Sequence, residues 1–169
     1  MRPVILFSAM SLDGFIAGPQ GEIDWLFQDA DYGYAAFYDR IGTMLMGRKT
    51  FDFVNSLTPY PHSDRENIVF SRSPKSSEAD YLHFIQDDPV SFTKQLKTIP
   101  GKPIWLVGGG AINQLFVEAG LVDEMILSVH PVFLGHGIPL LPGLTSIHLF
   151  KTVHVEHFPS GLVQWHLTR

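Results

Sequence analysis

Apolar positions along the chain fall in short blocks, separated by glycine, proline and polar clusters, a pattern that suits strands alternating with helices. Val4–Met10 is an apolar run closed by Ser11-Leu12-Asp13-Gly14 and reads as a buried strand. Thr43–Met46, Asn67–Phe70, Tyr81–Ile85 and Pro103–Val107 supply four more strand candidates. Asp29–Arg40 is predicted as a helix with acidic residues in its first turn, and Thr50–Val54 as a short helix stopped by the loop that carries Pro59 and Pro61. Pro89 suits the first turn of a helix running to about Thr98. Ala111–Ala119 reads as a further helix, with Gly120 as its stop.

The tail changes character. Glu124–His130, Ile147–Phe158 and Leu162–Thr168 look like strands with no helix between them, so the end of the sheet is expected to be antiparallel. The whole pattern predicts an α/β fold with a mixed, mostly parallel sheet flanked by helices. No repeat or linker divides the chain, and residues 1–169 are expected to form a single domain. Phe7, Phe51, Phe53, Phe70 and Phe133 are expected in the core.

Composition narrows the function classes. Hydrophobic residues make up 45% and charged residues 17%, an ordinary globular balance. A net charge of −5 gives no overall basic field and argues against nucleic-acid binding. The absence of cysteine excludes disulfides, thiolate metal sites and a cysteine nucleophile, and suits a reducing cytoplasm. The opening apolar run is too short for a signal peptide, and no stretch approaches the roughly 20 apolar residues of a membrane span. The eight histidines show no metal-ligand spacing, so no metal is expected. Asp87-Asp88-Pro89 reads as a helix start.

Three segments at predicted strand exits could carry chemistry. Gly47-Arg48-Lys49-Thr50 joins a strand to a helix, where glycine admits close approach, the helix start offers N–H groups to an anion, and two cations add charge. Ser71-Arg72 places a hydroxyl beside a guanidinium, a combination suited to a phosphate monoester. Gly108-Gly109-Gly110-Ala111 puts three glycines before a helix, although the third glycine of the dinucleotide fingerprint would fall at Asn113. Each segment also reads as an ordinary turn or surface loop. Arg48, Lys49, Arg72 and Lys75 nevertheless group positive charge near the first two segments of an acidic chain, as an anionic ligand requires.

In this order, the segments resemble the dihydrofolate-reductase-like superfamily, and most of all the C-terminal reductase domain of the bifunctional riboflavin-biosynthesis deaminase-reductase. Ser8-Ala9-Met10-Ser11-Leu12-Asp13-Gly14-Phe15-Ile16-Ala17, Asp24-Trp25 and Pro131-Val132-Phe133-Leu134-Gly135-His136-Gly137 extend the resemblance over nearly the whole chain. It implies a three-layer dihydrofolate-reductase-like fold and NADPH as cofactor. Gly47, Arg48, Lys49 and Thr50 would then hold cofactor phosphates, and Ser71 and Arg72 the 2′-phosphate. Gly108, Gly109 and Gly110, with Ala111 behind them, would approach the pyrophosphate and nicotinamide, which Ala9 and Ile16 would border. Asp13, and Asp31 beyond Trp25, are the acidic candidates for the substrate side. The implied activity is hydride transfer to a heterocyclic or ribosylamino substrate, in a homodimer. 5-Amino-6-(5-phosphoribosylamino)uracil is the leading substrate, dihydrofolate or another pteridine the alternative, and a non-catalytic NADPH-binding protein the rival from another class.

Overall fold

The computed structural model describes residues 1–73 and 76–169; Lys75, one of the four grouped cations, lies outside them. The strands are β1 (Val4–Ser11), β2 (Phe15–Ala17), β3 (Thr43–Gly47), β4 (Glu66–Phe70), β5 (Leu82–Ile85), β6 (Ile104–Gly108), β7 (Glu124–His130), β8 (Ile138–Pro139), β9 (Lys151–His157) and β10 (Val163–Thr168). The helices are α1 (Tyr34–Arg40), α2 (Arg48–Asn55), α3 (Pro89–Thr98) and α4 (Gly110–Glu118). Eight strands form one sheet in the order β5-β4-β3-β6-β1-β7-β10-β9. The pairs from β5 to β7 are parallel, whereas β7–β10 and β10–β9 are antiparallel. The mixed sheet and its antiparallel tail follow the pattern expected from the sequence.

Alternation along each strand sends side chains to two separate cores. Val4, Leu6, Leu45, Ile68, Phe70, Ile104 and Leu106 pack with Leu96 of α3 and Phe116 of α4 on one face. Ile5, Met44, Met46, Val69 and Trp105 pack with Phe37 of α1 and Phe51 of α2 on the other. Because both faces of the parallel strands are covered, those strands read as near-continuous apolar runs.

Several expectations need correction. The helix expected from Asp29 begins only at Tyr34, because Gly33 takes a left-handed φ of 75° and serves as its N-cap. Asp31 therefore stands ahead of the helix, where its carboxylate accepts the Ala35 N–H at 3.1 Å. At α2 the helix starts earlier than expected, at Arg48, with Gly47 as the cap. The strand expected from Ile147 starts at Lys151. The short pair β2–β8 was not expected at all; it joins two loops that are distant in sequence. Phe53 and Phe133 are exposed rather than in the core, at 44% and 77%.

Candidate active site

The parallel strands β3, β4 and β6 run in the same direction, so their exits lie along one edge of the sheet. A cleft of about 1060 Å³ opens there, at the carboxyl ends where open α/β sheets bind ligands. All three segments singled out in the sequence converge on it. Gly47, Arg48, Lys49 and Thr50 line it after β3, Ser71 and Arg72 after β4, and Gly109, Gly110 and Ala111 after β6. Ile16 of β2 also lines it, together with Ile23 of the loop that follows.

Two helices open on this cleft, α2 and α4, each capped by a glycine with no side-chain capping bond. Their first-turn N–H groups are thus not taken by a side-chain cap, and the helix dipoles add positive potential at the same place. Thr50 Oγ1 accepts the Gly109 N–H at 2.9 Å and ties the two glycine segments together. Arg48 is held by Asp52 at 2.8 Å, while Lys49 and Arg72 are exposed and have no carboxylate within ion-pair distance among the described residues. Ser71 is nearly buried, and its hydroxyl donates to the Ser73 carbonyl at 3.0 Å. Gln86 Nε2 donates to the Arg72 carbonyl at 3.2 Å and fixes the backbone that presents the guanidinium.

The three glycines of this segment answer to two different demands. Gly108 has φ of 104° and its absent Cβ would lie 2.7 Å from Asn113 Oδ1. A Cβ on Gly110 would lie 2.3 Å from the Pro139 carbonyl oxygen. Both therefore answer to the protein's own packing, and Gly108 does not line the cleft. Gly109 does, facing Thr50.

The acidic candidates stand apart from the cleft. Asp13 accepts the Ser11 hydroxyl at 2.6 Å, the Gly135 N–H at 2.7 Å and the Leu134 N–H at 3.1 Å. The Ser11 hydroxyl, then these backbone groups, hold its carboxyl below the usual range despite some desolvation. Asp13 is thus an ionised fastener for the Leu134–Gly135 turn. Asp31 stands ahead of α1 and is engaged by the Ala35 N–H, as described. Ala9 does not line the cleft; it lies on β1 opposite Ser128 of β7.

A family model, the RibD C-terminal domain, matches residues 2–164. The chain belongs to the RibD C-terminal domain family. It is 39% identical over 175 residues to the uncharacterized protein YyaP of Bacillus subtilis (strain 168), covering 96% of this chain and 93% of that one. Its fold is also that of a Shewanella sp. PV-4 protein assigned to riboflavin biosynthesis, with a TM-score of 0.88, 29% identity and 99% of both chains covered. The Thermotoga maritima diaminohydroxyphosphoribosylaminopyrimidine deaminase/5-amino-6-(5-phosphoribosylamino)uracil reductase shares the fold at a TM-score of 0.78 and 18% identity. That match covers 99% of this chain and 56% of the Thermotoga chain.

Within the RibD C-terminal domain fold, some site residues escaped the sequence reading. Gln86, Asp87 and Pro89 line the cleft beside Arg72, yet Asp87-Asp88-Pro89 signalled only a helix start, which Asp88 indeed caps through the Ser91 N–H at 2.8 Å. Pro139 and Pro142 also line it and carried no sequence signal. A second polar group lies under the segment before α1. Ser128, His130 and Gln164 are buried there, and Gln164 Nε2 donates to Ser128 Oγ and to the Tyr32 carbonyl, both at 2.9 Å. Among the described residues no cluster of His, Cys, Asp or Glu is arranged to hold a metal, and no helix is long and apolar enough to cross a membrane.

Proposed function

We propose that this chain is a single-domain, NADPH-dependent reductase that acts in the cytoplasm on a small heterocyclic or ribosylamino acceptor of the riboflavin-pathway type. The observation that carries the reading is the convergence of three strand exits on one cleft, with two helix starts that lack a side-chain capping bond and the cations Arg48, Lys49 and Arg72. This donor set fits a pyrophosphate flanked by a phosphate monoester. Gly47–Thr50 and Gly109–Ala111 would hold the pyrophosphate, and Ser71 and Arg72 the 2′-phosphate. Ile16 and Ala9 would border the nicotinamide. Bound NADPH supplies a hydride to an electrophilic C=N or C=O carbon. The protein's share is orientation: Thr50 locks the two glycine segments, and Asp13 ties the Leu134–Gly135 turn to the start of β2, which carries Ile16. Dihydrofolate is the weaker acceptor, because the acidic residues following Trp25, Asp29 and Asp31, are exposed rather than buried in a pocket.

Association into a homodimer is part of this reading. Leu12, Val155 of the edge strand β9 and Trp165 of β10 line an apolar groove and are 38–49% exposed. Light scattering should give twice the chain mass, and Trp165→Glu should return the monomer.

Nicotinamide fluorescence tests the cofactor. NADPH should bind several-fold more tightly than NADH, and equal affinities would overturn the role given to Ser71 and Arg72. An acceptor screen that follows the loss of NADPH absorbance then tests the reaction.

A further inference from the structure

The carboxyl end of β7 holds a buried polar group that the cofactor reading leaves unused. His130 is 2% exposed and sits opposite Ser11 in the β1–β7 register, on the sheet face that also carries Ala9 and Ser128. Its Nδ1 lies 3.2 Å from the Ser128 carbonyl oxygen. A carbonyl only accepts, so Nδ1 carries the proton and Nε2 of the neutral ring is a bare lone pair. That Nε2 is buried and has no hydrogen-bond partner among the described residues. Burial, the largest influence on this ring, keeps its pKa below the usual histidine range, against the opposing pull of the Ser128 and Met10 carbonyls and the Asp29 carboxylate.

The ring is covered by Trp25 and Phe27, edge to face at centroid distances of 5.2 and 5.0 Å. Aromatic edges do not replace the hydrogen bond that Nε2 would make in water, so the acceptor is desolvated without compensation. The cover is tied at its ends and lightly held in the middle. No residue from Glu22 to Asp31 is buried, and none lies in a helix or strand. The Gly18 N–H donates to the Glu22 carbonyl at 2.9 Å at one end, and the Tyr32 hydroxyl joins Asp29 to Ser160 at the other. Between them the bonds are local, from Trp25 Nε1 to the Glu22 carbonyl at 3.3 Å and from the Leu26 N–H to the Ile23 carbonyl at 3.1 Å. Ile23, at its head, already borders the cofactor cleft.

Charge adds a second, independent constraint. Glu22, Asp24, Asp29 and Asp31 fall in this cover, and no lysine or arginine does. Arg48, Lys49 and Arg72 follow β3 and β4, separated from β7 by β6 and β1. A phosphate carried on the acceptor would meet carboxylates here, with no cation to receive it.

Resting on the reductase reading, we infer that the space under Trp25 and Phe27 is the acceptor pocket and that it takes an uncharged nitrogen heterocycle. The two aromatic rings give way to the ligand, and a ring N–H of the ligand donates to His130 Nε2. Ala9, paired with Ser128 on this same face, would set the nicotinamide border of the proposed reading beside it.

The test uses 5-amino-6-(5-phosphoribosylamino)uracil and its dephosphorylated form, added to the full chain saturated with NADP⁺. Tryptophan emission is followed in the wild type and in Trp25→Phe, His130→Phe and His130→Gln. The dephosphorylated compound should change the emission of the wild type and not of Trp25→Phe, and should bind more tightly than the phosphate. His130→Phe should weaken it about tenfold, the loss of one buried hydrogen bond, while His130→Gln, which keeps an acceptor oxygen, should stay close to wild type. Equal binding to wild type and His130→Phe overturns the pocket, as does tighter binding of the phosphate or the absence of a Trp25 response. If His130→Phe does not fold, the Trp25 response and the order of the two compounds still decide. NADP⁺ binding, measured separately by calorimetry, distinguishes the two failures. A chain that binds cofactor but ignores the neutral ring refutes this pocket alone, and one that binds no cofactor refutes the reductase reading.

Discussion

The two halves of the sheet's carboxyl edge are built by different means. At the exits of β3, β4 and β6 the working groups are backbone N–H donors and exposed cations, set by glycines at the starts of α2 and α4. At the exits of β1 and β7 they are buried side chains, Ser128, His130 and Gln164, brought together across strands and roofed by an acidic, loosely packed segment. The first half is suited to holding a charged ligand rigidly. The second is suited to admitting a less polar one and closing over it.

The largest expected effect tests whether the first half is rigid. Gly110→Val drives a side chain into the Pro139 carbonyl, 2.3 Å from the position of its Cβ. It should lower stability by about 3 kcal/mol, the upper range for overpacking, as read from urea denaturation. Gly109→Ala, which meets only the Thr50 hydroxyl, should cost far less stability yet still weaken NADPH. If the two variants were equally destabilised, the distinction between a packing glycine and a ligand-facing one would fail.

Next in size is Arg72→Ala, which should weaken NADPH about tenfold, as expected for a charge-assisted phosphate contact, and leave NADH nearly unchanged. An unchanged NADPH affinity would place the 2′-phosphate elsewhere. Smaller still is Asp13→Ala, which frees the Ser11 hydroxyl and two backbone N–H groups. It should reduce thermal stability modestly, with Asp13→Asn recovering much of the loss because its carbonyl still accepts. A large loss of NADPH affinity in Asp13→Ala would instead move Asp13 into the cofactor half.

The smallest effect concerns acidity. Burial lowers the pKa of His62, His130 and His166, so the folded state prefers them neutral. An unfolded histidine titrates near 6.5; the stability linked to these groups is therefore complete above that pH and is lost as pH falls from there towards the lower folded-state values. Denaturation midpoints should fall between pH 7 and pH 5, and the fall should be shallower in His130→Phe. An identical slope would mean that His130 does not prefer its neutral form.

The same contrast decides what could be read from the chain before its structure. Strand runs such as Val4–Met10 and the helix from Pro89 are local patterns, and both appear where expected. Gly47–Thr50, Ser71-Arg72 and the triple glycine are local too, each a strand exit, so parallel strands suffice to bring them together. The roof over His130 had no such signal. Its polar row depends on the β7–β10 register, where Ser128 faces Gln164, and no spacing along the chain encodes that pairing. Nor does spacing reveal that Asp13 is occupied by a turn 121 residues away. Asp31 misled for a related reason: an aspartate near a helix start is equally at home in its first turn or ahead of it, and Gly33 settles which.

The bond from the Gly109 N–H to Thr50 Oγ1 has a mechanical meaning. α2 belongs to one core and α4 to the other, so the hydroxyl works as a clasp between two layers on opposite faces of the sheet. A ligand that straddles the clasp would sense the spacing of both layers at once. Loosening either core would then be felt first as a change in grip at this edge, well before the chain unfolds.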